Sequence, residues 1–280
     1  MTKKLFAIVA LIIAIAAVTS CRMNVLKGKG NKTTKIPATA SFDAVDIDID
    51  LKTTVNVQAG SVPKVEIAGY ENLLEHVLAK VENNKLRIYD DLDETWTIES
   101  KEVEVTITVP TISLLKLSGA PDAVVHGNMT GPAFKLDISG ASSVKIDNLN
   151  VDNFTVNVSG AADVDVKGGN VKTATYEING AGNVKAYPLQ SAEATASISG
   201  AGTCHLTALQ KLTSEISGAG TIKYQGHPAI TKEVSGLLSF YTGVYGSGTF
   251  RMGLSSTGNS GIGTSSPQAP LHVYQSSTGN

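Results

Sequence analysis

Polar and apolar residues alternate along most of the chain, and a recurring corner organises the alternation. The tripeptide Ser-Gly-Ala begins at Ser118, Ser139, Ser159, Ser199 and Ser217, with Asn-Gly-Ala at Asn179 in the matching place, at spacings of 21, 20, 20, 20 and 18 residues. The residue before each corner is Leu117, Ile138, Val158, Ile178, Ile198 or Ile216, and the one before that is Lys116, Asp137, Asn157, Glu177, Ser197 or Glu215. An apolar column beside a polar one is the period of two expected of a strand with one buried face. The alternation resumes after the corner. Ala123, Val144, Val164, Val184, Cys204 and Ile222 form one apolar column and Val125, Ile146, Val166, Ala186, Leu206 and Tyr224 another. Between them runs an outward column of Val124, Lys145, Asp165, Lys185, His205 and Lys223.

Corresponding residues recur in the same chain direction, which hairpins do not produce. Coiling the chain so that like stacks on like, at about 4.8 Å per turn, converts each column into a parallel ladder. The pattern therefore predicts an all-β parallel β-helix, a solenoid with about 20-residue rungs; a β-sandwich is the structural alternative. The corner glycines Gly119, Gly140, Gly160, Gly180, Gly200 and Gly218 are expected to supply either a positive φ or a close approach that a Cβ would block. The alanine after each glycine is expected at a crowded inner corner. The Ser/Asn column is a candidate hydrogen-bond ladder, inward or outward.

Residues 41–115 are strand-rich but less regular. Val45, Ile47, Ile49 and Leu51 alternate with Asp46, Asp48 and Asp50, and Val103, Val105, Ile107 and Val109 alternate with Glu104, Thr106 and Thr108. Asn83-Asn84 predicts a hairpin turn, and a short helical turn is expected near 72–78. The segment is read as the start of the same stack, covering its N-terminal end, because an uncapped solenoid leaves a sheet edge open.

The first 20 residues read as an export signal, with Lys3 and Lys4 ahead of an apolar run from Leu5 to Val18. Fourteen residues at 1.5 Å each cover about 21 Å, short of the roughly 30 Å hydrocarbon core of a bilayer. Val18-Thr19-Ser20-Cys21 resembles a bacterial lipobox, which makes Cys21 the expected lipidation site and the membrane a partner through the N-terminal lipid. That leaves Cys204 as the one remaining cysteine and no disulfide framework. Residues 21–40 read as a tether.

Composition narrows the function classes. A formal net charge of −2 gives no basic excess for a nucleic-acid partner. With 5% aromatics against 27 glycines, the core is expected to be thin and filled by small aliphatic side chains. No phosphate loop, dinucleotide fingerprint or serine-nucleophile elbow occurs, so no catalytic residue, metal or cofactor is assigned. Charges of opposite sign on neighbouring rungs of the outward column are expected to pair as a solvated face. The weaker candidates are Asp147, Asp163 and Asp165 for calcium, and the acidic group Asp90, Asp91, Asp93 and Glu94 for a cation. His76, His126, His205, His227 and His272 lack metal-ligand spacing. Cys204, in a Val/Ile column, reads as a small core residue.

Several motifs together resemble the putative auto-transporter adhesin, head GIN domain family. They are the lipobox, the opening Phe42-Asp43-Ala44-Val45-Asp46, the Lys85-Leu86-Arg87-Ile88 strand, the Val109-Pro110 step, the serial Ser-Gly-Ala corners, and the closing His227-Pro228 and Val234-Ser235-Gly236. The resemblance covers residues 41–236 and implies a right-handed parallel β-helix in an envelope lipoprotein of the outer membrane. It defines no catalytic residues. The expected role is a non-enzymatic adhesin or scaffold that binds a glycan or a protein; the alternatives are a carbohydrate-active β-helix enzyme and a periplasmic sensor or assembly factor. Residues 237–280 depart from the family pattern. They are rich in Gly, Ser and Thr, and Gly261-Ile262-Gly263-Thr264 onward resembles a repeat of trimeric fibre proteins, so the segment reads as a fibre-like extension, a disordered tail or sequence foreign to the domain.

Overall fold

The computed structural model of the chain describes residues 24–37, 40–92, 96–98, 101–236, 239–243, 251–254 and 260–262. The expected export signal, Cys21 and most of the C-terminal segment lie outside them. The described chain is a parallel β-solenoid of about six turns. The columns read from the sequence are the pairing registers: Ala123 lies beside Val144, Val144 beside Val164, Val164 beside Val184, Val184 beside Cys204, and Cys204 beside Ile222. All six side chains are buried, as are their partners two residues on.

Each regular coil has three faces. Between Asp122–Gly140 and Ser143–Val158, for example, Ala123 to Val125 pair with Val144 to Ile146, Asn128 to Gly131 with Asn148 to Val151, and Ala133 to Ile138 with Asn153 to Val158. The last of these faces carries the strands that run into the Ser-Gly corners. Three buried aromatic rings meet in one part of the core. Phe134 stacks on Phe154 at 5.9 Å between ring centres, and Phe154 meets Tyr176 edge-on at 6.2 Å. Phe134 and Phe154 are in register with each other, whereas Ala174 follows Phe154 and Ala196 follows Tyr176 on the next rung, so the later rings have small neighbours that leave them room.

The irregular segment builds the N-terminal end. Strand Ala44–Ile49 lies between Lys85–Asp90 on one side and Leu114–Gly119 on the other, all parallel. Strand Lys52–Ala59 lies likewise between Lys101–Val109 and the start of Asp122–Gly140. Antiparallel strands then cover the outer coil: Val77–Glu82 pairs with Lys85–Asp90, and Lys64–Tyr70 with Lys101–Val109. The hairpin turns at Asn83 and Asn84, whose φ values of 49° and 62° are those of a tight turn with two left-handed residues. The helical turn is Glu71–Leu74, one residue ahead of the expected start, and buries Leu73 and Leu74.

Two stretches of the expected tether are strands. Asn24–Leu26 pairs with Trp96–Ile98, and Lys32–Lys35 pairs antiparallel with Lys64–Tyr70. All four residues of Lys32–Lys35 are exposed, so backbone pairing to an open edge holds them and no hydrophobic alternation marks them in the sequence.

Candidate functional site

The corners place the six glycines in a stack, each amide after a glycine donating to the glycine carbonyl one coil earlier. Ala161 N donates to Gly140 O at 3.0 Å, Ala181 N to Gly160 O at 2.9 Å and Ala201 N to Gly180 O at 2.9 Å. Positive φ occurs at Gly119, Gly140, Gly200 and Gly218. It does not at Gly160 and Gly180, where space is the constraint: a Cβ on either would stand 2.3 Å from the glycine carbonyl oxygen of the previous coil. The crowded inner position is one residue later than expected. Ala120, Ala141, Ala161, Ala181, Ala201 and Ala219 are exposed, whereas Pro121, Ser142, Ala162, Gly182, Gly202 and Gly220 are buried. The peptide after the glycine turns outward and the following one folds under, against β-branched neighbours such as Val158 and Ile178. The Ser/Asn column faces outward; Ser139 Oγ donates to Ser118 Oγ at 3.1 Å, while Ser159 Oγ donates to the backbone at Ile138 O at 3.4 Å.

The outward column of Val124, Lys145, Asp165, Lys185, His205 and Lys223 is in continuous register. Asp165 does not pair with Lys145 or Lys185 on the neighbouring rungs as expected. Asp165 bonds instead to Lys167, just past the end of its own strand Asp163–Val166, at 2.5 Å, because a lysine two residues on reaches back along the same side. His205 is half-buried and its ring lies flat on that of Tyr187, 4.9 Å between centres and 9° between planes. Burial, then Lys223 and Lys185, hold its proton affinity below that of an ordinary imidazole. Its Nε2 is buried without a hydrogen-bond partner.

The candidate cation ligands have separate tasks. Asp147 accepts the Gly127 amide at 3.1 Å and faces His126 at 3.6 Å, while Asp163 accepts from Asn183 at 3.0 Å. Asp90 accepts the Asp50 amide at 2.7 Å, and burial is the largest influence raising its carboxyl above the ordinary value. Asp91 bonds His76 at 2.8 Å. Asp93, Glu94 and His272 lie outside the described residues. No group of three metal-ligating side chains converges among the described residues. Cys204 is fully buried, and burial pushes its thiol well above the usual range.

The site that the sequence reading missed lies where the coil perimeter contracts. Ala186 is in register with Leu206, yet the next paired residues are Gln190 and Thr207, so Tyr187, Pro188 and Leu189 have no counterparts on the following coil. Further on, Ala192 stands against both Leu209 and Gln210, which makes the net loss two residues. The corner spacing of 18 after Ser199 carries this signal without locating it. Leu189 turns inward and is fully buried, leaving Tyr187 and Pro188 as a shelf. Thr207 Oγ1 donates to Tyr187 O at 2.7 Å and Ser191 Oγ to Thr207 O at 2.5 Å, fixing both ends of the shelf. Beneath it is an open cleft of about 570 Å³ lined by Tyr187, Pro188, Gln190, Leu209, Gln225 and His227. Leu209, 48% exposed, is one of few large apolar side chains in the open among the described residues. A second concavity of about 430 Å³, between Lys32, Thr54, Ala68 and Glu104, contains no aromatic ring.

Solved structures share this architecture. A putative adhesin from Bacteroides fragilis superposes with a TM-score of 0.71 at 22% identity, over 79% of this chain and 100% of that one. A putative adhesin from Parabacteroides merdae gives 0.60 at 21% identity, over 79% and 99%. A protein described as a putative lipid binding protein, from Parabacteroides distasonis, gives 0.62 at 20% identity, over 79% and 100%. At these identities the likeness is one of fold. No curated protein matches the chain. Among the described residues, no helix is long and apolar enough to cross a membrane. The profile of one family matches residues 41–228, two thirds of the sequence and the whole run of stacked corners, and the chain belongs to that family: putative auto-transporter adhesin, head GIN domain.

Proposed function

We propose that this adhesin-family chain is a non-enzymatic binding module of the cell envelope, held to the membrane by lipid on Cys21 and adhesive toward a glycan through the lower end of its solenoid. The observation that carries the reading is the cleft beneath the Tyr187 shelf. It is concave, has an aromatic wall and an exposed aliphatic floor, and offers amides from Gln190 and Gln225. Apolar walls with a few placed polar groups are the general form of a ligand pocket. Its lining contains no carboxylate, whereas glycoside cleavage ordinarily requires a pair of them. Two outward carboxylates elsewhere are held by lysines, Asp137 by Lys135 at 2.9 Å and Asp152 by Lys172 at 2.9 Å.

The test is incubation of the purified chain with a panel of neutral and acidic polysaccharides, followed by co-sedimentation and analysis of chain length. Retention of polysaccharide at unchanged length is expected. Reproducible cleavage, abolished by replacing an outward carboxylate, would overturn the non-enzymatic reading.

A further inference from the structure

Charge is segregated between two faces of the lower coils. Lys185, His205 and Lys223 occupy successive rungs of one outward column. Rungs are about 4.8 Å apart, so the two lysines start from backbone positions about 10 Å apart with an imidazole between them. The three chain segments that build this face and the cleft below it, 179–192, 199–214 and 217–232, contain no aspartate or glutamate. The carboxylates of the same coils, Glu177, Glu193, Glu215 and Glu233, all lie on the strands leading into the corners, which form a different face. The nearest acidic residue up the column is Asp165, and Lys167 holds it at 2.5 Å. In a chain whose formal net charge is −2, this is a local cationic field set against the overall sign.

The cationic column and the cleft are joined by one side chain. Tyr187 stacks on His205 and also lines the cleft. A ligand crossing from column to cleft therefore meets two ammonium groups, then an aromatic ring, then Leu209 flanked by the side-chain amides of Gln190 and Gln225. Flat rings and exposed aliphatic groups suit the carbon-bound hydrogens of a sugar ring, amides suit its hydroxyls, and paired lysines suit an acidic substituent.

The geometry points to an anionic polysaccharide, bearing carboxylate or sulfate groups, as the ligand: acidic groups seat on Lys185 and Lys223 while a neighbouring sugar ring enters the cleft against Tyr187 and Leu209. This rests on the binding-module reading above and gives it a ligand class. Burial lowers the proton affinity of His205 most, and Lys223 and Lys185 add to it; the lysines that repel a proton there attract an anion.

The experiment compares retention of the full chain on polygalacturonate, heparin and dextran, with single-stranded DNA as a further arm, at two salt concentrations. Preferential, salt-weakened retention on polygalacturonate or heparin is expected, with Lys185→Gln/Lys223→Gln weakening it at least tenfold at an unchanged melting temperature. Tyr187→Phe should retain the anionic arms and Tyr187→Ala should lose them. If dextran binds as well as the charged chains and the lysine variant changes nothing, the ligand class is wrong and the binding-module reading survives. Retention of DNA as tight as that of the polysaccharides would also overturn the ligand class, leaving an unselective polyanion surface. If no polysaccharide is retained, both readings fall.

Discussion

The carbonyl oxygen of Gly140 occupies the space that a Cβ on Gly160 would need, the two being 2.3 Å apart. The same relationship holds between Gly160 and Gly180. Because the blocking atom is backbone, relief requires separating two coils whose corner amides are bonded at 2.9 to 3.0 Å. Gly160→Ala and Gly180→Ala should each cost about 1–3 kcal/mol, the usual range for overpacking. Ala161→Ser, at an exposed neighbour, should cost almost nothing. Chemical denaturation of the three variants checks this; equal midpoints would show that the corner ladder tolerates a Cβ.

Cys204 stands in register between Val184 and Ile222 with no exposed surface. Cys204→Val should therefore be nearly neutral. Cys204→Ser should lose about 1–3 kcal/mol by burying a hydroxyl among aliphatic neighbours. Since burial disfavours the thiolate, the folded protein should react with a thiol-modifying reagent only as fast as it opens. Rapid labelling under native conditions would contradict that.

His205 gives the fold a pH dependence of definite sign. Its proton affinity is lowered by burial and by Lys223 and Lys185, so as pH falls below the ordinary imidazole value of about 6.5 the unfolded chain takes up a proton before the folded one does. The stability this residue contributes is complete above that value and declines as pH falls through its lower folded-state value. A urea midpoint measured at several pH values should drop across this window more steeply for the parent than for His205→Gln. Parallel curves would mean that burial and the two lysines do not hold the imidazole neutral.

Lipid attachment is tested by Cys21→Ala, which should move the chain from the membrane fraction to the soluble fraction of its host. Loss of a radiolabelled acyl chain from the protein is the direct readout. A variant that stays in the membrane fraction would sink the anchoring proposal.

The column structure of the solenoid was legible because two periods coincide in the sequence: alternation by two within a strand and recurrence near 20 between coils. Val144, Val164 and Val184 could be aligned by eye and lie side by side in the fold. The inner corner was harder, since exposed Ala161 and buried Ala162 are the same residue type and only backbone direction distinguishes them. Lys32–Lys35 was not legible because its pairing uses backbone groups alone. The cleft followed from the shortened spacing only once the unpaired residues were known to be Tyr187, Pro188 and Leu189. The pairing of Asp165 went to Lys167 through side-chain reach, which a column of one-letter codes does not contain.

The buried corner position runs from Pro121 through Ser142 and Ala162 to Gly182, Gly202 and Gly220, shrinking along the chain. Each late glycine accommodates a β-branched side chain from an earlier coil, with a would-be Cβ on Gly202 at 2.6 Å from Ile178 and on Gly220 at 2.5 Å from Ile198. Coils are therefore not interchangeable modules, although their corner strands pair in register. A copy of residues 183–202 inserted after Gly202 would present glycine to Ile198 and extend the stack, whereas a copy of residues 123–142 in the same place would drive the Ser142 side chain into that isoleucine. Growth of such a protein by internal duplication has a permitted direction, written in the size of one residue per coil.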